Sequence, residues 1–255
     1  RTFAQTNHDR TAARVYFLLG AAGSGKSSLA HAGILGRKLR MEKLPNGHSA
    51  RVLKMTPGQK PLDNLAREVH SLFPTDQKGT QVLDEVDRLR DRMFKNSDQS
   101  ASGLLDACEH YQRTQERSVV LIVDQFEEIF SICESYEQSQ SFLAYVLNAA
   151  GDPSGTFSAM FTMRTDFLQS GGDQQGVRLS RLISENHFLV PDLTRDQLRE
   201  VIHRPLEPFD VSIDEPTAEQ MITDTLDCSG GVPLLQCALT RIWAGLCQGV
   251  PAAET

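Results

Sequence analysis

The chain has 255 residues, 40% hydrophobic and 23% charged, with a net charge of −7, which allows one large core or one core with a smaller attached domain. Lys and Arg are scattered apart from Arg37-Lys38-Leu-Arg40, so there is no basic field and nucleic acid is not expected as a direct ligand. The central apolar run Val119–Val123 is far shorter than a bilayer and no signal peptide opens the chain, so a cytoplasmic protein without a membrane partner is expected.

The chain opens on Arg1, with a strand soon after, and reads as a piece excised from a longer protein. That strand, Val15-Tyr-Phe-Leu-Leu19, runs straight into Gly20-Ala-Ala-Gly-Ser-Gly-Lys26-Ser27-Ser28. This is a complete G-x-x-x-x-G-K-S phosphate loop in its required setting, between a buried strand and a helix expected over Ser28–Leu39. Gly20, Gly23 and Gly25 let the backbone wrap closely, with Ala22 and Ser24 between them, and the helix start adds its positive dipole end to hold phosphate. Lys26 supplies a cation to the outer phosphates, and the Ser27 hydroxyl, followed by Ser28, can ligate magnesium.

Further on, Ala50–Met55 reads as a strand stopped by Thr56-Pro57-Gly58, and Asp63–Phe73, Val82–Phe94 and Leu104–Gln112 read as helices with apolar residues at helical spacing. Then come the strand ending at Asp124, a helix over Tyr136–Ala149, a strand Phe157–Met163 and a weaker strand Phe188–Val190; Ser97–Ser102 and Ser170–Gly176 have loop composition. Alternating strands and helices imply an α/β fold with a parallel sheet covered on both faces. Beyond Pro191 only helices are expected, over Thr194–Arg204, Glu215–Leu226 and Val232–Leu246. The chain is therefore expected to divide into a nucleotide-binding domain, 1–192, and a helical appendage, 193–255. Five cysteines, odd in number and without a C-x-x-C pair, read as reduced thiols rather than a zinc site.

Val119-Val-Leu-Ile-Val-Asp124 is a buried strand tipped by a carboxylate, which places Asp124 at the carboxyl edge of the sheet, where it can share magnesium with Ser27. Gln125, its neighbour, can position water but is a poor base, so Glu127 or Glu128 is the better candidate to activate it, with a slight preference for Glu127. Both could instead be acids at a helix start. The strand Phe157–Met163 delivers Arg164 to the same edge. There it can bind a γ-phosphate, and so distinguish tri- from diphosphate, or simply pair with Asp166.

The loop with Ala32-Gly-Ile-Leu35, the strand with Asp124-Gln-Phe-Glu-Glu-Ile-Phe130, Met163-Arg-Thr-Asp-Phe167, Leu193-Thr-Arg-Asp-Gln-Leu198 and Gly230-Gly-Val-Pro-Leu-Leu235 occur in that order. Together they resemble the STAND class of signalling NTPases, in particular its bacterial novel-STAND branch, related to NACHT and NB-ARC ATPases. The resemblance covers nearly the whole chain. It implies an ATPase switch binding ATP or ADP with Mg2+, hydrolysing slowly, and self-associating through the NTPase domain. It also implies that 193–255 is a lid whose Pro233 approaches the base, and that a winged-helix region and fused sensor and effector domains lie outside the sequence. A proline after Gly231 offers a rigid apolar surface suited to adenine, although it is equally an ordinary first-turn proline. The base-recognition segment of the family precedes the first strand; here only 1–14 do so, without a Gly-Arg-Glu-like motif.

A small-molecule kinase or other nucleotide-transferring enzyme is the alternative, but its acceptor site and lid arginines are not evident. Intact Lys26, Ser27 and Asp124 argue against a degenerate interaction module. No Asn-Lys-x-Asp is present to read guanine, and Ser170-Gly-Gly-Asp-Gln reads as a loop rather than a transporter-ATPase signature.

Overall fold

The computed structural model describes residues 14–31, 43–44, 46–73, 80–94, 102–169, 174–228 and 230–249. Its strands are β1 (Val15–Gly20), β2 (Ser49–Met55), β3 (Arg117–Val123), β4 (Phe157–Arg164) and β5 (His187–Leu189). They form one sheet in the order β2-β3-β4-β1-β5, with β1–β5, β2–β3 and β3–β4 paired in parallel. Interleaved with them are α1 (Lys26–Ser28), α2 (Pro61–His70), α3 (Thr80–Phe94), α4 (Ser102–Gln115), α5 (Glu128–Ser131), α6 (Tyr136–Gly151) and α7 (Gln174–Glu185). Then follow α8 (Arg195–His203), α9 (Glu215–Asp227) and α10 (Gly231–Gly249).

Side chains alternate between the two faces of a strand, and here both sets are buried. Val15, Phe17, Val119, Leu121, Phe157 and Phe161 point to one face and join a core with Leu65, Leu104, Phe142 and Ile183 from α2, α4, α6 and α7. Tyr16, Leu18, Val120, Ile122 and Met160, on the opposite parity, are also buried. Strands buried on both faces explain why they read as continuous apolar runs rather than alternating ones.

The strand order also fixes where a ligand can enter. The connection leaving β1 runs to β2, at one edge of the sheet, whereas β2→β3, β3→β4 and β4→β5 all step in the opposite direction. With right-handed crossovers the chain therefore changes face at β1, and the carboxyl ends of β1 and β4 flank a topological switch point, where open α/β sheets take their ligands.

Two expectations need amending. Ser170–Gly176 is not all loop, because α7 begins at Gln174. Its apolar spacing, Leu179, Leu182 and Ile183, starts only after the glycine-rich stretch and packs into the main core, which is why composition concealed it. The helix expected over Ser28–Leu39 is described only as α1 continuing through a wider π-type turn to His31. Its remainder, the Arg37–Arg40 group and most of Ser97–Ser102 lie outside the described residues.

By internal packing, 14–19 and 26–189 form one unit, and Gly20–Gly25 with the residues from Val190 onward form another. In the second, Leu198, Ile202, Ala218, Ile222 and Leu235 make a small core from α8, α9 and α10. Thr194 and Gln197 form a reciprocal capping box at the start of α8, and Asp214 accepts from Thr217 N–H at 3.0 Å at the start of α9; each satisfies backbone donors that a helix start leaves open. Among the described residues no helix is long and apolar enough to cross a membrane.

Candidate functional site

β3 stops at Val123, so Asp124 is the first residue beyond the sheet rather than its last. In register Val123 lies beside Phe161, which sets Asp124 next to Thr162 of β4. Its Oδ1 accepts the Ser27 hydroxyl at 2.8 Å, a short hydrogen bond from the Thr162 hydroxyl and the Gln125 N–H at 3.1 Å. Its Oδ2 lies 3.3 Å from His31 Nε2. Burial is the largest single influence and favours the neutral acid, but the hydrogen bonds from Thr162, Ser27 and His31 outweigh it and hold the Asp124 carboxyl below its usual range. Ser27 and Asp124 thus meet by a direct hydrogen bond, although β4 separates β1 from β3.

Lys26, at the start of α1, is buried to 7% exposure. Burial is the main influence on its ammonium and lowers its pKa; Glu127 opposes that most strongly, Arg164 acts with it, and Asp124 and Asp166 also oppose it. An ammonium held among groups of both signs, away from bulk water, gains most from an added anion.

The two candidate acids separate. After Asp124 the chain turns through Gln125 in the left-handed region, φ 54°, a conformation that is uncommon outside glycine and worth attention at a site. That turn carries Glu127 back to the sheet, where its Oε2 accepts Arg164 N–H at 3.4 Å. Glu128 instead accepts Gly58 N–H at 3.0 Å, fastening the segment that stops β2. Arg164 pairs with Asp166 at 2.5 Å and lies over the Phe167 ring at 5.7 Å. Its Nε is buried with no hydrogen-bond partner among the described residues, an open donor that costs free energy until an acceptor reaches it.

In the second unit the loop residues meet the turn that opens α10. Gly23 has φ +77°, and a Cβ there would lie 2.8 Å from Pro233 Cδ and 3.2 Å from Gly230 Cα. Only glycine at position 23 lets the ring of Pro233 seat against the loop, so that proline touches the phosphate loop itself. Gly231 has no room for a Cβ against the Thr225 backbone, which explains the small residue between α9 and Pro233. A Cβ at Gly20 would meet Ser24 Oγ at 2.6 Å and Val190 O at 2.7 Å; Ser24 is itself buried. Gly25 is left-handed at φ +86°, with no atom of the described residues within 4 Å of its missing Cβ. Ser28 closes α1.

Thr162 and His31 join the site without belonging to any motif in the sequence. Each carries a signal in retrospect: Thr162 is the last polar residue in the otherwise largely apolar Phe157-Ser-Ala-Met-Phe-Thr-Met163, and His31 lies four residues after Ser27, the spacing of one helix face. The donor set also bears on a metal. Among the described residues no group of three or more His, Cys, Asp or Glu side chains could hold an ion. One hydroxyl and one carboxylate are hard oxygen donors that fit Mg2+ completed by phosphate and water, as in sites where the nucleotide brings the ion.

A phosphate loop leaving the first strand, a carboxylate after the third hydrogen-bonded to the loop serine, and an arginine ending the fourth define a P-loop NTPase domain. The chain belongs to the family described as Novel STAND NTPase 1, which it matches over residues 2–251. No curated protein matches it in sequence. In fold it is similar to the Walker-type ATPase of Pyrococcus abyssi, at 15% identity and TM-score 0.52, covering 92% of this chain and 69% of that one. It is likewise similar to the ORC2 protein of Aeropyrum pernix, solved as ADPNP–ADP complexes, at 14% identity and TM-score 0.55. That match covers 83% of this chain but only 51% of the other, so the chain spans about half the length of the Aeropyrum protein.

Proposed function

We propose that this chain binds ATP or ADP with Mg2+ and slowly hydrolyses ATP, as the switch of a longer signalling or defence protein. The observation that carries this reading is the hydrogen bond from Ser27 to Asp124 at 2.8 Å, which joins the loop hydroxyl and the carboxylate just beyond β3 into one oxygen-donor pair. In this reading Gly20, Ala22, Gly23, Ser24 and Gly25 wrap the phosphates, with Lys26, Ser27 and Ser28 at the helix start. Ser27 and Asp124 hold the ion, which when bound offsets the charge on the phosphate oxygens. Glu127 is the favoured group for orienting and deprotonating water, because the Glu128 carboxylate is already committed to Gly58 N–H. Arg164 offers its buried Nε, unpaired among the described residues, to a γ-phosphate oxygen. The Aeropyrum relative's ADPNP and ADP ligands support adenine nucleotide as the first ligand to test.

The same reading treats 1–192 as the nucleotide-binding domain and 193–255 as its lid, with Pro233 presenting to the base whatever part of its ring Gly23 leaves open. Nucleotide-dependent self-association through the NTPase domain, a winged-helix region and sensor and effector domains beyond the lid, and a cytoplasmic setting complete the proposal. Denaturing the purified protein and identifying the released nucleotide by chromatography tests it. ATP or ADP is expected; GDP would overturn the base assignment. Protein purified without nucleotide is then titrated with labelled ATP, and absence of binding there refutes the proposal.

A further inference from the structure

We infer that Thr162 is a positioning residue that sets both carboxylates of the site, Asp124 and Glu127, by using the end of β4 as a template for the exit of β3. The inference rests on the nucleotide reading above. Thr162 is 1% exposed, and a hydroxyl buried that deeply costs free energy unless both its donor and its acceptor capacity are used. Here both are. The O–H donates to Asp124 Oδ1, and the oxygen accepts Gln125 N–H at 3.0 Å. Its backbone carbonyl accepts the next amide, Phe126 N–H, at 2.9 Å.

One residue of β4 thus holds three consecutive residues beyond β3. The consequences differ along the segment. At Asp124 the bond fixes the carboxylate so that the same oxygen meets the Ser27 hydroxyl. At Gln125 and Phe126 the two accepted N–H groups stabilise the left-handed turn, φ 54°, which any residue other than glycine enters at a cost. Only after that turn does Glu127 come back to Arg164 N–H, two residues along β4 from Thr162. A valine would fill nearly the same volume on the same β-branched scaffold, with the same strand preference, but could make neither hydroxyl bond. Thr162 is not proposed to touch nucleotide; it acts through the two acids.

The test compares Thr162→Val and Thr162→Ser with the unaltered chain, measuring ATP affinity by calorimetry in Mg2+ and in EDTA, steady-state turnover, and stability by urea melts. With Thr162→Val the affinity in EDTA is expected to stay within about twofold, while the gain in affinity from Mg2+ falls about tenfold, the scale of one hydrogen bond to a charged group. Turnover should fall as well, and Thr162→Ser should restore both. A full Mg2+ gain in the valine variant, or a serine variant as impaired as valine, overturns the inference. If Thr162→Val does not fold, Thr162→Ala read in the same two buffers carries the same expectation and the same refutation. Wild-type protein that binds no ATP in either buffer brings down the nucleotide reading and this inference with it. Normal wild-type binding with an unchanged valine variant retires the inference alone.

Discussion

Asp124→Asn is the substitution whose consequences the geometry defines most closely. The carboxylate is 16% exposed and accepts from Ser27, Thr162 and His31 side chains and from Gln125 N–H. A hydrogen bond to a charged acceptor contributes about 1 kcal/mol more than a neutral one, so three side-chain donors sum to about 3 kcal/mol. Relief of the burial cost on the ionised acid, the largest single influence, returns about 2 kcal/mol, leaving a net loss of about 1 kcal/mol at neutral pH. The pH dependence follows from linkage: a carboxyl whose folded pKa is depressed contributes stability that is fully present above its unfolded value, about 3.9. That contribution disappears as pH falls through the lower folded value. Wild type and variant should therefore differ in urea-melt stability at pH 6–7 and converge toward pH 3. Binding should show the second consequence, with ATP affinity in EDTA retained and the Mg2+ gain abolished. A stability difference that does not change between pH 7 and pH 3 would refute the electrostatic account, and an intact Mg2+ gain would refute the assignment of Asp124 to the ion.

Lys26→Met removes a buried cation from the start of α1 and should weaken ATP binding by at least about a hundredfold, read by fluorescence titration; unchanged affinity sinks the loop as the phosphate site. Glu127→Gln should leave binding in place and lower single-turnover hydrolysis, whereas Glu128→Gln, which only weakens the hold on Gly58 N–H, should spare it; equal turnover losses would void the distinction between them. Asp166→Asn frees the Arg164 guanidinium from its ion pair and should widen the preference for ATP over ADP, while Arg164→Ala should narrow it. Competition titrations returning the same ratio in both variants would leave Arg164 structural.

What could be read from the sequence depended on whether one segment sufficed to specify the feature. β1 and β3 each contain an unbroken apolar run, Val15–Leu19 and Val119–Val123, and the phosphate loop is contiguous, so strands, loop and the Asp124 that follows β3 could each be placed from local spacing. The strand order could not. Nothing in Val15–Leu19 or Val119–Val123 says that β4 lies between them, because pairing partners are chosen by packing on both sheet faces. Thr162 shows the cost of that gap: its hydroxyl matters only because β4 adjoins β3 in a register that brings 162 beside 124, a fact carried by no residue of either strand alone. The same holds for the two acids. Glu127 and Glu128 are adjacent in sequence and chemically equivalent there. What separates them is the left-handed turn at Gln125, which sends one toward Arg164 N–H and the other toward Gly58 N–H. Pro233 is the complementary case, since Gly-Gly-Val-Pro announces a tight turn opening a helix but not what the turn rests on. The missing partner is Gly23, more than two hundred residues earlier, whose lack of a side chain opens the space that the proline ring occupies.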